Sequence, residues 1–124
     1  MATKVDDIIL KDFTEIIDTY LKNYPSYKKE KQTFECEYGE IIFNKEFSNV
    51  ITIFGILINP KYRQNGIFTY ILQYLINKCN EQKFKYLCIQ SIISKPLYSY
   101  LSRYKYNNKK FTLNTEDGSF YFKC

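Results

Sequence analysis

The stretch NPKYRQNG (residues 59–66) has the residue types that best suit a chemical role in this chain. It joins an apolar, β-branched segment to one whose apolar residues recur with a helical period. The first turn of a helix leaves N–H groups without intrahelical partners, and the helix dipole makes that end positive. Arg63 adds a cation, and Gly66 lets a ligand approach the backbone because it has no Cβ. The stretch therefore predicts a site for an anion such as a diphosphate.

The absence of histidine limits the catalytic chemistry that is open to the chain. It excludes Ser-His and Cys-His nucleophilic pairs and imidazole bases, and it removes the commonest zinc ligand. Any catalysis must therefore use carboxylates, tyrosines, backbone dipoles or the ligand itself, and we expect no bound metal.

Size and charge restrict the classes of protein further. A chain of 124 residues predicts one domain, residues 1–124. The 18 basic and 13 acidic residues give a net charge of +5, with the surplus spread along the chain. This balance suits a phosphorylated cofactor and also weak binding to nucleic acid, so charge alone does not choose between them.

The cysteines and the apolar runs indicate the compartment. The four cysteines, at positions 36, 79, 88 and 124, form no C-x-x-C pair, and no signal peptide is recognisable. Reduced thiols are therefore expected. The longest apolar runs fall short of the ~20 residues that a membrane helix needs. We expect a soluble, cytoplasmic protein without a membrane partner.

The N-terminal third predicts a helix followed by strands. The helix has a one-sided apolar stripe and ends before Pro25. It begins either at Asp12, with residues 7–10 as a short edge strand, or earlier as a single longer helix. Residues 33–38 alternate strictly, which predicts a half-buried strand, and residues 40–43 continue as strand.

The middle of the chain predicts a βαβ unit. Residues 50–58 are apolar on both faces, as in a central strand, and Gly55 marks a bulge or a close approach. An amphipathic helix runs from Ile67 to about Asn80, and a second buried strand covers residues 84–91. The two strands are therefore predicted to be parallel neighbours. A short helix at 95–104 and a closing hairpin that turns near Asp117-Gly118 complete the chain.

Residues 63–68, RQNGIF, resemble motif A of the GCN5-related N-acetyltransferases (GNAT), whose loop reads R/Q-x-x-G-x-G/A. The preceding apolar strand, the following helix and strand, and the later short helix come in the order and spacing of that family. The resemblance implies an α/β (α+β) fold: a mixed, mostly antiparallel, twisted sheet with a central, splayed parallel strand pair flanked by helices.

The resemblance also implies a reaction and a set of contacts. Loop amides 64–69 would hold the pyrophosphate of acetyl-CoA, and backbone groups near Ile56 and Ile58 would pair with its pantetheine arm. A primary amine would then attack the thioester directly, with a strand N–H polarising the carbonyl. The cofactor-binding residues implied are Ile56, Leu57, Ile58, Arg63, Gln64, Asn65, Gly66, Ile67, Phe68, Thr69 and Ser94.

The sequence departs from the family at positions that bear on catalysis. Phe68 replaces the final small residue of the motif. In the later helix, Ser94 falls at the position of an Asn, and Leu101 falls where the family has the Tyr that protonates the thiolate. Tyr98 and Tyr100 are the nearby substitutes, and we expect only one of them to face the cofactor.

The general base is a separate question. Glu37 is the candidate, with Glu35 and Glu40 as alternatives, although outward-facing strand glutamates are usually only solvated. An amine that arrives uncharged, or a water relay, would serve as well.

Three functions are compatible with these residues. The first is an N-acetyltransferase that uses acetyl-CoA as co-substrate and acts on a primary amine, as a monomer or a homodimer. The second is a degenerate relative that binds coenzyme A without turnover, which Phe68 and Leu101 suggest. The third, ranked last, is a small basic nucleic-acid-binding module, since no groove-reading helix is present. The net positive charge argues against a lysine-rich peptide as the acceptor.

Overall fold

The structure is a computed structural model that describes residues 4–28, 30–45, 47–62, 66–90 and 95–124. Three α-helices and eight strands alternate along the described chain. In order they are α1 (Lys4–Asn23), β1 (Lys31–Cys36), β2 (Gly39–Asn44), β3 (Val50–Ile58), α2 (Ile67–Glu81), β4 (Tyr86–Ile89), α3 (Lys95–Arg103), β5 (Lys105–Tyr106), β6 (Lys109–Lys110), β7 (Thr112–Asn114) and β8 (Ser119–Lys123). Short 3-10 turns follow α1 at Tyr24–Ser26 and β3 at Pro60–Tyr62.

Six strands form one mixed sheet in the order β1-β2-β3-β4-β8-β7, and β5 pairs with β6 in a separate hairpin. The β3–β4 pair is parallel and is joined through α2, whereas the other described pairs are antiparallel. This arrangement confirms the predicted fold class of a mixed sheet with a central parallel pair flanked by helices. It also places the loop before α2 at the carboxyl end of β3.

The first helix is longer than the capping signal suggested. α1 begins at Lys4 and runs without a break to Asn23, so the expected edge strand at residues 7–10 is wrong and the longer-helix alternative is right. Ile9 is fully buried in the same core as Phe13. The apolar stripe of the helix therefore extends one turn further, and burial of that turn outweighs the possible cap at Asp12.

A bulge interrupts β3 at its middle. Phe43 of β2 lies opposite Ile53, and the next residue back, Ile42, lies opposite Gly55, so Phe54 has no opposite residue. An extra residue of this kind bends its strand and inverts the alternation of faces. Ile53 before the bulge and Ile56 after it therefore both face the core. The prediction of a bulge near Gly55 is confirmed.

An aromatic cluster joins α1 to the sheet. The Tyr20 ring stacks on Phe43 with ring centroids 3.8 Å apart, and Tyr27 and Phe34 pack around it. Tyr20 is fully buried, and its hydroxyl has no hydrogen-bond partner among the residues that the structure describes, while burial raises the pKa of the phenol. Tyr24, in the turn after the helix, instead donates to the carbonyls of Phe47 and Val50, at 3.0 and 3.2 Å.

This contrast predicts opposite effects for one substitution at two neighbouring tyrosines. Tyr20→Phe is expected to raise the free energy of unfolding by about 1 kcal/mol, because it removes an unsatisfied buried hydroxyl. Tyr24→Phe is expected to lower it by about 1–2 kcal/mol, because two carbonyls lose their donor. Urea unfolding of the two variants tests both predictions. A loss of stability in Tyr20→Phe would contradict the conclusion that the Tyr20 hydroxyl makes no hydrogen bond.

The cysteines correct the expectation of reduced thiols. Cys79, in the last turn of α2, is joined by a disulfide to Cys124, which follows β8, while Cys36 and Cys88 are not part of a disulfide in the described structure. The two paired residues are 45 positions apart in sequence and 6.0 Å apart between Cα atoms. Sequence spacing did not reveal the pair, because only the sheet order brings the end of β8 beneath α2.

Candidate functional site

The site begins at the end of the described β3–β4 ladder. That parallel ladder runs from Val50–Tyr86 to Ile53–Ile89, and the Gln90 N–H donates to the Ile53 carbonyl at 2.9 Å. β3 continues for five residues past this point, paired with β2 on its other edge. The bulge at Phe54 comes directly after the last described pair of the ladder.

Hydrogen-bond alternation shows how the end of β3 is oriented. The Asn59 N–H donates to the Tyr38 carbonyl at 2.8 Å, so the alternating pattern of an antiparallel pair directs the backbone groups of Leu57 toward β2. Those of Ile56 and Ile58 therefore point to the β4 side. Of the atoms in the described part of the chain, a Cβ added at Gly55 would meet only the Ile42 Cδ1, at 3.7 Å.

The N-terminus of α2 is the second part of the site. Gly66 precedes the helix in the left-handed conformation (φ 69°), and no side chain of the described residues caps this end. The Tyr70 N–H donates to the Gly66 carbonyl at 3.1 Å, which is the first hydrogen bond of the helix. The N–H groups of Ile67, Phe68 and Thr69 precede it and therefore have no acceptor within the helix. The predicted contacts Arg63, Gln64, Asn65 and Ser94 lie outside the described residues.

Of the two candidate tyrosines, the structure brings one to this helix end. The Tyr100 and Thr69 hydroxyls share a hydrogen bond, and the Tyr100 ring packs edge-on against Phe68 with centroids 5.3 Å apart. Tyr98 is 41% exposed and its ring lies against Phe120 instead. Leu101, at the family's tyrosine position, is fully buried in the core.

A cleft with three glutamates lies at the end of β3. It has a volume of about 390 Å³, and its lining residues are Glu35, Cys36, Glu37, Gly39, Glu40, Leu57, Ile58, Asn59 and Pro60. Glu35 and Glu40 are directly opposite each other on β1 and β2, an arrangement that places like charges side by side. The cleft is therefore a favourable place for a cation.

The floor of this cleft depends on a close approach between backbones. An added Cβ at Gly39 would lie 2.1 Å from the Leu57 carbonyl oxygen, so only glycine lets β2 pack here. Glu37 lies in the β1–β2 turn and is exposed, although the alternation had placed it on a strand. Leu57 is 53% exposed and contributes its side chain to the cleft wall. The cofactor prediction for Leu57 rested on backbone groups, which face β2.

The net charge concealed this acidic cleft. Ten of the 13 acidic residues lie within residues 1–46, the part that forms α1, β1 and β2, and the net positive charge comes from the remainder. The expected even spread of charge is therefore wrong. The net charge of the whole chain therefore gives no argument against a cationic acceptor.

Two features bear on other kinds of site. In the described parts of the chain, no helix combines the length and the apolar character that spanning a bilayer requires. Within the same residues, no group of three or more Cys, Asp or Glu side chains is arranged to hold a metal ion.

Comparison with solved structures identifies the architecture. A GNAT-family acetyltransferase from Listeria monocytogenes 4b F2365 superimposes with a TM-score of 0.52 at 14% identity, covering 99% of this chain and 91% of that one. A GNAT-family acetyltransferase from Staphylococcus aureus Mu50 gives 0.51 at 16% identity, covering 86% and 76%. No protein-family model matches the sequence, and no curated protein matches it. The chain thus has the GNAT fold, as the resemblance in its loop implied.

Proposed function

We propose that this chain, which has the GNAT fold, is an N-acetyltransferase that transfers an acetyl group from acetyl-CoA to a primary amine of a cationic molecule. One observation carries the proposal: after the bulge at Phe54, β3 runs past the end of its described ladder with β4, and the chain then leads to the glycine-led start of α2. We propose that the backbone of β3 receives an amide-containing arm and that the helix end receives a diphosphate.

The residues present fit acetyl-CoA. The α2 amides from Gly66 to Thr69 provide a positive end for the pyrophosphate, with Arg63, Gln64 and Asn65 proposed beside them. On β3, the backbone groups of Ile56 face the β4 side and match the amides of a pantetheine arm. Among the described residues, only the Ile42 Cδ1 lies within 4 Å of a Cβ added at Gly55, which favours a close approach of that arm.

When bound, acetyl-CoA supplies a thioester whose carbonyl carbon an amine attacks, which releases the thiol. The chain provides the groups around this reaction. We propose Tyr100 rather than Tyr98 as the proton donor to the departing sulfur, because the Tyr100 side chain turns from α3 toward α2, whereas the Tyr98 ring lies against Phe120. Phe68 and Tyr104 pack against the Tyr100 ring and fix its direction.

The acceptor would approach through the glutamate cleft. Glu35, Glu37 and Glu40 attract an ammonium group, and a nearby carboxylate accepts the proton that the amine must lose before attack. The volume of about 390 Å³ holds an alkylamine or a lysine side chain. Diamines and lysine-containing peptides are therefore the acceptors to test first.

The test is thiol release from acetyl-CoA with a panel of cationic and neutral amines. Wild-type protein is expected to release thiol with cationic amines. In Tyr100→Phe, kcat is expected to fall about a hundredfold with little change in the KM for acetyl-CoA, as for loss of a general acid.

Tyr98→Phe is the matched control, since it removes the same hydroxyl two residues away, and its kcat should stay within about twofold of wild type. Full activity in Tyr100→Phe would remove its assigned role. If acetyl-CoA binds but none of the amines leads to thiol release, the result would favour the degenerate relative, for which buried Leu101 is the structural argument.

A further inference from the structure

The second feature of this molecule that suggests a ligand is a basic surface at the end of α3. Residues 95–115 contain five basic residues and no acidic one, and the rest of the chain holds 13 of each sign. This one segment therefore accounts for the whole net charge of +5. Arg103, Lys105, Lys109 and Lys110 are all exposed there, and we call these four residues the basic ridge.

The fold holds the ridge in a fixed but electrostatically unfavourable arrangement. Lys105 and Lys110 are directly opposite each other in the β5–β6 hairpin, so two like charges are paired across the strands. Among the described residues, none of the four forms an ion pair. An external polyanion would relieve this repulsion, since no ion pair within the described residues does so.

The hairpin is rigid and its tip is polar. Asn107 and Asn108 both have positive φ (51° and 65°), as in the tight turns that suit twisted hairpins. The Tyr106 hydroxyl donates to the Asn77 side chain of α2 at 2.7 Å and anchors the hairpin to the body. A tip of two asparagines has no apolar side chain to insert into a bilayer, which argues against a membrane surface.

An aromatic cavity continues the ridge along α3. Tyr98, Ser99, Ser102 and Arg103 line a cavity of about 370 Å³, and the Tyr98 ring is partly exposed. The Arg103 Nε donates to the Ser99 carbonyl at 3.2 Å, which holds the guanidinium beside the cavity. A stackable ring flanked by cations and hydroxyls is the arrangement that binds an unpaired base next to its phosphates.

We infer that the basic ridge and the Tyr98 cavity form a docking surface for a single-stranded nucleic acid. The ridge contacts successive phosphates, and one base stacks on Tyr98. The Tyr98 ring can stack only on a base that is not already stacked on both faces within a duplex, so a single strand is the occupant. This surface is distinct from the start of α2, where acetyl-CoA is proposed to bind, and the inference does not depend on catalysis.

The experiment measures the binding of fluorescein-labelled 12-mers of uridine and of deoxythymidine by anisotropy at several salt concentrations. Four phosphate contacts predict a slope of about −3 in log affinity against log salt, at about −0.7 per contact on a single strand. The triple variant Lys105→Ala, Lys109→Ala, Lys110→Ala should bind at least tenfold more weakly and reduce the slope by about 2. Comparison of the two oligonucleotides shows whether the surface prefers RNA or DNA.

The control removes the same charge elsewhere. Lys83, Lys85 and Lys123 are also exposed and line another cavity, at the turn after α2, so their triple alanine variant lowers the net charge equally. This variant should keep the wild-type slope. Tyr98→Ala should weaken binding about tenfold and leave the slope unchanged, because stacking releases no counterions.

Three outcomes would overturn the inference. Equal losses in both lysine variants would mean that only net charge matters. Displacement of the oligonucleotide by saturating acetyl-CoA would assign the ridge to the cofactor. Polyglutamate binding as tightly as the oligonucleotides would indicate an acidic protein as the partner.

Discussion

Reduction of the Cys79–Cys124 disulfide is expected to lower the free energy of unfolding by about 4 kcal/mol. The bond closes a segment of 45 residues, and the loss of unfolded-state entropy for a loop of that length gives about this value at 25 °C. The closed segment includes β4, α3 and all strands from β5 to β8. Urea unfolding with and without dithiothreitol measures the difference.

A cysteine outside the bond provides the control for reduction. Cys36 is free and half-buried on β1, so Cys36→Ser should leave the response to dithiothreitol intact. Cys124→Ala should abolish that response and show, without reductant, the stability of reduced wild type. Equal stability of oxidised and reduced wild type would contradict the pairing of Cys79 with Cys124.

The substitution Gly66→Asp is expected to weaken acetyl-CoA binding at least a hundredfold. It places a carboxylate at the helix end that we propose holds the pyrophosphate, so attraction from the helix dipole is replaced by repulsion between like charges. The change carries the strain of a side chain at φ 69°, which Asp tolerates better than most residues, and among the described residues no atom lies within 4 Å of an added Cβ. Isothermal titration calorimetry with acetyl-CoA measures the loss.

Gly118 offers a matched control for that experiment. It has nearly the same backbone conformation (φ 73° against 69°) and, likewise, no atom within 4 Å of an added Cβ, but it lies in the turn between β7 and β8. Gly118→Asp therefore introduces the same charge and the same strain elsewhere, and its affinity should stay within twofold of wild type. If Gly66→Asp bound acetyl-CoA with wild-type affinity, the proposal that this helix end binds the pyrophosphate would be wrong.

Local periodicity was sufficient to predict much of the fold. β3 and α2 were recognisable because an apolar β-branched run and a one-sided helical stripe leave little ambiguity. The start of α1 was not recognisable, because Asp12 and Glu15 form a plausible helix cap. Ruling out that cap requires knowing that Ile9 is buried. The hairpin of β5 and β6 was missed because strands of two residues have no period to detect.

Features that depend on distant contacts could not be read from the sequence. The Cys79–Cys124 bond requires the order of strands in the sheet, and the choice of Tyr100 over Tyr98 requires the rotation of α3 relative to α2. The acidic cleft was hidden for a different reason. A net charge averages over the chain, whereas a ligand experiences only the local charges around Glu40.

The single unpaired residue at Phe54 bears on how such a site could arise. Removing that one residue would restore regular alternation, because Ile56 and Ile58 would then follow Ile53 in phase and keep their places in the core. The strand would lose the bend that follows its last described pair with β4. A gain or loss of one codon in an ancestral gene therefore separates a regular β3 from a bulged one. The residues of the hydrophobic core need not change.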